Sequence, residues 1–102
     1  MKYKVIILPN FEMDVDHIVR FYYEKNVNYI PKFLKNIKSS INSLKEFPER
    51  FSKIPELSQN NNLNIRQCVC DNYRIIYQIK DNIVYVLAIL GENLLNIDKL
   101  NM

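Results

Sequence analysis

The side chains that could do chemistry in this 102-residue chain are a few basic and aromatic residues in its second half. Arg66 and Arg74 are the strongest cationic candidates, because an arginine guanidinium forms paired hydrogen bonds with phosphate or carboxylate groups. Arg50 extends a row of lysines, and Tyr77 follows Arg74 by three positions. These four residues predict contact with a target or with an acidic protein segment. None of them is assigned as a catalytic residue.

Cysteine and histidine are too few to predict a metal or redox site. Cys68 and Cys70 are one residue apart, so in a strand they would project from the same face, which is a poor geometry for a disulfide. His17 is the one histidine of the chain, and a Cys/His site would lack ligands. We therefore expect two reduced thiols, no metal and no cofactor.

Length and composition predict one cytoplasmic domain. A chain of 102 residues with 48% hydrophobic residues can form a single core, and we assign 1–102 to one domain with 91–102 as a C-terminal tail. The apolar run Val5–Leu8 is too short for a signal peptide, and no segment approaches the roughly 20 apolar residues that span a membrane. The net charge of +3 is compatible with an acidic partner but does not identify one.

Two helices are predicted after a first strand at Lys2–Leu8. Apolar residues from Phe11 to Tyr22 recur at helical spacing, and Asn10 is a potential N-cap. A second apolar stripe runs from Ile30 to Leu44, with Pro31 tolerated in its first turn and Asn28 as a potential cap. The short link between the two predicts an antiparallel helical hairpin. The lysines of the second helix lie off its stripe and are expected to face solvent.

Three strands follow a loop that is expected to turn tightly around Pro55–Leu57. They are predicted at 65–70, 73–80 and 83–90, joined by two-residue turns whose aspartate and asparagine side chains tolerate a left-handed backbone. The third is apolar throughout, which indicates a central strand. Together with the first strand they predict an α+β fold of order β-α-α-β-β-β, with the hairpin on one face of a four-stranded antiparallel sheet and the opposite face available.

Several segments in this order resemble those of the RelE/ParE toxin superfamily, in particular its ParE branch. The exit of the second helix, from Ile41 to Arg50, resembles the pattern I-x-x-L-x-x-F-P-E-R, and 54–57 resembles V-P-E-L. Arg66 stands where the family begins its second strand with a basic residue. The segment 72–77 resembles N-Y-R-I-x-Y, and 84–91 resembles the last strand. The similarity covers 3–91.

The resemblance implies a toxin that is neutralised by a co-expressed antitoxin. RelE-like members cleave mRNA on the ribosome with basic and aromatic residues, whereas ParE-like members inhibit DNA gyrase and are not nucleases. One RelE-like basic position lies four residues before the arginine of Y-R and is Cys70 here, and the segment after Gly91 contains no Arg, His or Tyr where others would stand. This pattern favours the ParE-like function, although the basic segment that follows the last strand of ParE proteins is also replaced by an apolar tail.

Three functions remain open. They are a ParE-like gyrase inhibitor, a RelE-like ribonuclease acting on ribosome-bound mRNA, and a degenerate toxin that only binds its antitoxin. Arg74 contacts a target or antitoxin in the functional interpretation, or pairs with a carboxylate in the structural one. We expect an antitoxin segment to fold over the helical hairpin and to add to the sheet, with either a homodimer or a toxin–antitoxin hetero-oligomer as the assembly.

Overall fold

The computed structural model describes residues 2–58 and 63–91, which contain the elements that the sequence predicts. The strands are β1 (Lys4–Ile7), β2 (Asn64–Cys70), β3 (Tyr73–Lys80) and β4 (Ile83–Gly91). The helices are α1 (Pro9–Lys25), α2 (Ile30–Ser43) and the short α3 (Pro55–Ser58), with 3-10 turns at Val27–Tyr29 and Pro48–Arg50. Apart from Gly91, the predicted tail lies outside the described residues. In the described ranges, no helix has the length and apolar character needed to cross a bilayer.

The sheet is mixed, which corrects the expectation of an antiparallel sheet throughout. Its strand order is β1-β4-β3-β2. The pairs β2/β3 and β3/β4 are antiparallel as predicted, but β1 runs parallel to β4 with Lys4 opposite Ile83. The apolar β4 therefore occupies a central position, as its composition predicts.

The direction of β1 follows from the path of the two helices. Helix α1 continues in the direction of β1 and brings Tyr22 to the Tyr73 hydroxyl, which donates a 3.1 Å hydrogen bond to it at the far end of the sheet. Helix α2 then runs back, so that the Tyr3 N–H, just before β1, donates to the Lys45 carbonyl just after α2 (2.8 Å). Because α2 alone makes the return, β1 and β2 start at the same end of the sheet. The two hairpins then make β4 parallel to β1.

The two tight turns of the meander are confirmed. Asp71 and Asp81 each begin a two-residue link between strands and have φ angles of 55° and 57°. This left-handed conformation is unfavourable for most residues but is tolerated by aspartate, whose short polar side chain can bond locally. The turn chemistry in the sequence therefore sets the pairing of the strand residues next to each turn.

The predicted helix caps are wrong in both helices. Helix α1 begins at Pro9, so Asn10 lies inside its first turn, and Leu8 occupies the cap position with no side-chain hydrogen bond. Proline is well suited to the first helical position, because its fixed φ is helical and no N–H partner is needed there. Asn28 lies in a 3-10 turn, and α2 starts with Pro31 in its first turn, as predicted.

A bulge in β4 changes the face to which its side chains point. Tyr77 of β3 lies opposite Val86, and the next pairing skips Leu87. An extra residue in one strand interrupts the regular alternation of side chains. Val86 and Ile89, three positions apart, therefore both pack beneath the helices.

The core has two parts, one on each face of the sheet. The larger part lies beneath α1 and α2 and includes the β3 residues Ile75, Tyr77 and Ile79, the face that strand alternation predicts. The opposite face is not fully available, because Ile54 is buried against it together with Ile65 and Ile76. The residues expected to form a tight turn at 55–57 instead form α3, whose Leu57 packs on this second cluster.

Candidate partner-binding surfaces

The 3-10 turn after α2 is held by two of the sequence candidates. The Tyr77 hydroxyl donates to the Pro48 carbonyl (2.5 Å), and Nη1 of Arg66 donates to the carbonyls of Glu49 (2.8 Å) and Phe51 (2.5 Å). Three backbone carbonyls within four residues are therefore satisfied by two side chains of the sheet. We refer to Pro48–Phe51 as the carbonyl-anchored segment.

The hydrogen bonds of Arg66 within the described residues stabilise the fold. Its Nε donates to Oδ1 of Asn64 (2.8 Å), in addition to the two backbone contacts. Arg66 of β2 also forms an isolated antiparallel β-bridge with Lys53, and the Gln67 N–H donates to the Ser52 carbonyl (3.1 Å). The guanidinium therefore ties the loop before α3 to β2, and its Nε and Nη1 donors are directed at the protein itself.

Tyr77 is part of the core and not of a surface. Its side chain is fully buried, with 0% relative exposure. Burial raises the pKa of the hydroxyl above its ordinary value, so the group remains a protonated donor to Pro48. The expectation that Tyr77 contacts a partner is corrected on this ground, because a fully buried side chain offers no surface to one.

Arg50 is the sequence candidate that is presented to solvent. It is exposed at the end of the 3-10 turn, and its guanidinium carbon lies 4.8 Å from the centroid of the Phe51 ring. A guanidinium stacked on an aromatic face keeps its in-plane N–H donors free for a second partner. Beside it, the Tyr3 hydroxyl donates to the Glu49 carboxylate (2.9 Å), which raises the pKa of Tyr3. Arg50 therefore sits on a fixed backbone with its donors accessible.

Arg74 lies on the other face of the sheet from Arg66. It is opposite Val69 in β2, and the alternation of β3 places it on the same side as Ile76. Its Nη1 lies 3.5 Å from Oε1 of Gln67, and its Nε is buried without a hydrogen-bond partner in the part of the chain that the structure describes. The two arginines thus do not converge on one site.

An apolar groove follows the helical hairpin. Two adjoining depressions of about 380 and 360 Å³ share Ile7, Ile37 and Ile41. Ile7 and Leu34 are each 44% exposed, which is high for large apolar side chains beside a core. The remaining lining residues are Val5, Leu34, Lys38, Asn42 and Lys45 in the first depression, and Phe11, Glu12, Val15, Asp16 and Val19 in the second.

The edge of β1 forms one border of this groove. The N–H groups of Lys4 and Leu8 donate to β4 or the turn before it, so the alternate residues Val5 and Ile7 direct their backbone groups away from the sheet. An edge strand of this kind can accept an additional strand. The helical groove was expected from the sequence only in outline, since the individual residues Ile7, Glu12 and Asp16 were not identified. The available signal was the width of the α2 stripe, which contains both Phe33 and Leu34.

The helical hairpin ends in an aromatic cluster. Rings of Tyr22, Tyr29, Phe33 and Tyr73 follow one another with centroid distances of 4.6–5.9 Å. The Tyr29 hydroxyl donates to the Asp71 carboxylate (2.9 Å), which also accepts from the Asn36 amide (2.7 Å). These bonds fix the hairpin to the turn between β2 and β3.

The thiols and the histidine lie apart from these surfaces. Cys68 and Cys70 are free and buried, and burial raises the pKa of both thiols. His17 is exposed on α1. Over residues 2–58 and 63–91, no group of three or more His, Cys, Asp or Glu residues is arranged to hold a metal ion.

Comparison with known proteins identifies the family. Residues 5–93 match the family model described as the ParE toxin of the type II toxin–antitoxin system parDE. A search of curated proteins finds no match.

Two solved structures share the fold at low sequence identity. The chromosomal ParDE toxin–antitoxin system from P. aeruginosa aligns with a TM-score of 0.71 and 14% identity, covering 88% of this chain and 96% of the other. The RelBE2 toxin–antitoxin complex from Mycobacterium tuberculosis aligns with a TM-score of 0.57 and 15% identity, covering 89% and 99%. With a family model that spans nearly all of the described residues, the chain belongs to the ParE toxin family of type II toxin–antitoxin systems, within the RelE/ParE superfamily.

Proposed function

We propose that this chain is a toxin that inhibits DNA gyrase by binding to it, and that a cognate antitoxin neutralises it. The observation that carries the proposal is the separation of Arg66 and Arg74 on opposite faces of the sheet. Cleavage of RNA needs donors that converge on one phosphate, whereas inhibition by binding needs only an accessible contact surface. This function places the protein in the cytoplasm, where its target acts on DNA.

Arg50 is the side chain that we assign to the target contact. Its backbone is fixed by the anchored carbonyls on either side, and its guanidinium is exposed over Phe51. A cation held in this way loses little conformational freedom on binding, so more of the contact energy is retained. An acidic surface on the target is the complementary partner.

The antitoxin is proposed to bind along the apolar groove of the helical hairpin. The ParDE and RelBE2 structures are both toxin–antitoxin assemblies by description. A disordered segment that folds as an amphipathic helix on binding would cover Ile7 and Leu34, the exposed apolar residues of the groove. A short reading frame for a DNA-binding antitoxin beside the gene is the simplest genetic check.

The test compares the two toxin activities directly. The purified chain is added to gyrase supercoiling and cleavage-complex assays, and in parallel to ribosome-dependent translation followed by primer extension. We expect inhibition of gyrase and no new cleavage sites in mRNA. Codon-dependent cleavage with unaffected gyrase would instead establish the ribonuclease, and inactivity in both assays with retained antitoxin binding would identify a degenerate toxin.

Replacement of Arg50 refines this test. Arg50→Gln should weaken gyrase inhibition by roughly 10- to 100-fold, the range for a lost hydrogen bond to a charged partner. Lys25→Gln is the matched control, because it removes one exposed positive charge at the far end of α1. Equal inhibition by both variants would exclude Arg50 as the contact.

A further inference from the structure

The two walls of the apolar groove carry opposite charge. Helix α1 contributes Glu12 and Asp16 to the lining, whereas the other wall contains Lys38 of α2 and Lys45 of the turn after α2. The helices as a whole show the same asymmetry. The span Pro9–Lys25 contains four acidic and two basic residues, and the span Ile30–Ser43 contains three lysines and no acidic residue.

The groove has a defined long axis along these walls. On α1 it extends from Phe11 to Val19, which is about 12 Å at 1.5 Å per residue. On α2 and the turn after it, the groove extends from Leu34 to Lys45 in the opposite direction. One end of the groove therefore lies near Val19 and Leu34, and the other near Phe11 and Lys45.

We infer that the charge difference between the walls fixes the direction in which a helical partner segment lies in the groove. This inference rests on the proposed antitoxin site. A helix that fills the groove presents one flank to α1 and the other to α2. When the helix is turned end for end, its flanks exchange walls. A segment with acidic residues on one flank and basic residues on the other is therefore complementary in only one direction.

Contacts within the protein reduce this polarity without cancelling it. Arg20 pairs with Asp16 (3.0 Å), but the two side chains are 76% and 54% exposed, and exposed pairs of this kind are weak and exchangeable. The helix dipoles oppose the wall charges by about half a charge at the Phe11 and Lys45 end, where α1 begins and α2 ends, and they have the same sign as the walls at the opposite end. The lysines of α2 and the carboxylate of Glu12 retain whole charges at the rim, so the sign of each wall is preserved.

Two synthetic peptides test the inference on the intact protein. Both are amphipathic helices of about four turns with the same apolar positions and the same composition, and they differ only in which flank carries glutamate and which carries lysine. Each peptide carries a nitroxide at its N-terminus, which broadens the NMR signals of nearby backbone amides of the protein. The broadened signals therefore show at which end of the groove the N-terminus of the peptide lies. We expect one peptide to broaden signals near Val19 and Leu34 and the other to broaden those near Phe11 and Lys45. The preference for one direction should be roughly 5- to 10-fold and should shrink with added salt.

A charge-exchanged protein provides the control. The variant Glu12→Lys with Lys38→Glu and Lys45→Glu should reverse the direction of both peptides, since all three residues are exposed. The variant Lys32→Glu with Lys35→Glu changes α2 charges that lie outside the groove lining, and it should leave both directions as they were. Binding of the two peptides in the same direction would overturn the inference and leave the groove as a partner site. Broadening by neither peptide would overturn the groove itself, together with this inference.

Discussion

Removal of the Tyr77 hydroxyl should destabilise the protein and loosen the segment that carries Arg50. Tyr77→Phe keeps the ring and creates no large cavity, so its effect isolates one hydrogen bond. The bond joins the fully buried tyrosine to the carbonyl of Pro48, whose side chain is also fully buried. The variant leaves that carbonyl without its partner in an apolar environment. An unsatisfied buried acceptor costs about 1–3 kcal/mol.

The expected change in melting temperature follows from the size of the chain. The unfolding entropy near the transition is about 2.1 cal/mol/K per residue, or roughly 0.2 kcal/mol/K for 102 residues. A loss of about 2 kcal/mol therefore lowers the Tm by about 10 °C. Differential scanning calorimetry measures the shift, and urea unfolding gives the free energy of unfolding independently.

Tyr23→Phe is the matched control for this measurement. Tyr23 is 72% exposed, so its variant should change the free energy of unfolding by no more than about 0.5 kcal/mol. Amide hydrogen exchange adds a local readout, because the Arg50 N–H donates to the Phe47 carbonyl within the same turn. Faster exchange at Arg50 in Tyr77→Phe would show that the hydroxyl holds the carbonyl-anchored segment. A Tm equal to that of the control, with unchanged exchange, would refute the reasoning.

Three further predictions concern pH, the groove and position 70. The pKa of Tyr29 is raised to about 12, first by burial and then by its bond to Asp71. Between pH about 10 and about 12 the folded protein therefore retains a proton that the unfolded chain has released, so the free energy of unfolding should fall as pH rises. In urea unfolding at several pH values, Tyr29→Phe should make this fall less steep, whereas Tyr23→Phe should not. Leu34→Asp should weaken antitoxin binding by at least tenfold in calorimetry, with little loss of stability. Met13→Asp should bind normally, because Met13 is 57% exposed and lies outside the groove lining. Equal affinities of the two variants would exclude the groove as the antitoxin site. Cys70→Arg should lower the Tm and produce no mRNA cleavage, because the side chain at position 70 is only 5% exposed and the new charge would be buried. Cleavage of mRNA by a stable Cys70→Arg variant would contradict this prediction.

The parts of the fold that the sequence predicts are those determined by local chemistry. Strand β3 has the predicted limits, Tyr73–Lys80, because the aspartates at 71 and 81 impose tight turns on both sides. The central position of β4 follows from its unbroken apolar character. The direction of β1 could not be predicted in this way. It depends on whether α1 continues or reverses the path of β1, and the apolar stripe of a helix does not specify that choice.

The candidate site was harder to predict because backbone carbonyls are not visible as a pattern. Arg66 has the charge expected of a phosphate ligand, but its acceptors are the carbonyls of Glu49 and Phe51, groups that every residue has. The partner of Tyr77 is likewise a carbonyl. Only the folded path of 48–51 brings these acceptors near the sheet. Arg50 differs from Arg66 in this respect, because no acceptor within the carbonyl-anchored segment bonds to its guanidinium. Its side chain therefore remains an accessible cation.

The environment of Cys70 strengthens the argument against a nuclease beyond the loss of one basic residue. In the RelE-like pattern this position would carry a cation, and here it is a buried thiol whose pKa is raised by desolvation. Cys70 belongs to the cluster beneath the helices, together with Phe33 and Ile75. A cation at this position would be placed in an apolar layer, away from solvent and from any phosphate, and it would carry the large cost of burying an unpaired charge. Cleavage of RNA with a cation at position 70 would therefore require both a substitution of Cys70 and a movement of the helices away from β2. Binding at the exposed Arg50 and along the groove requires neither change.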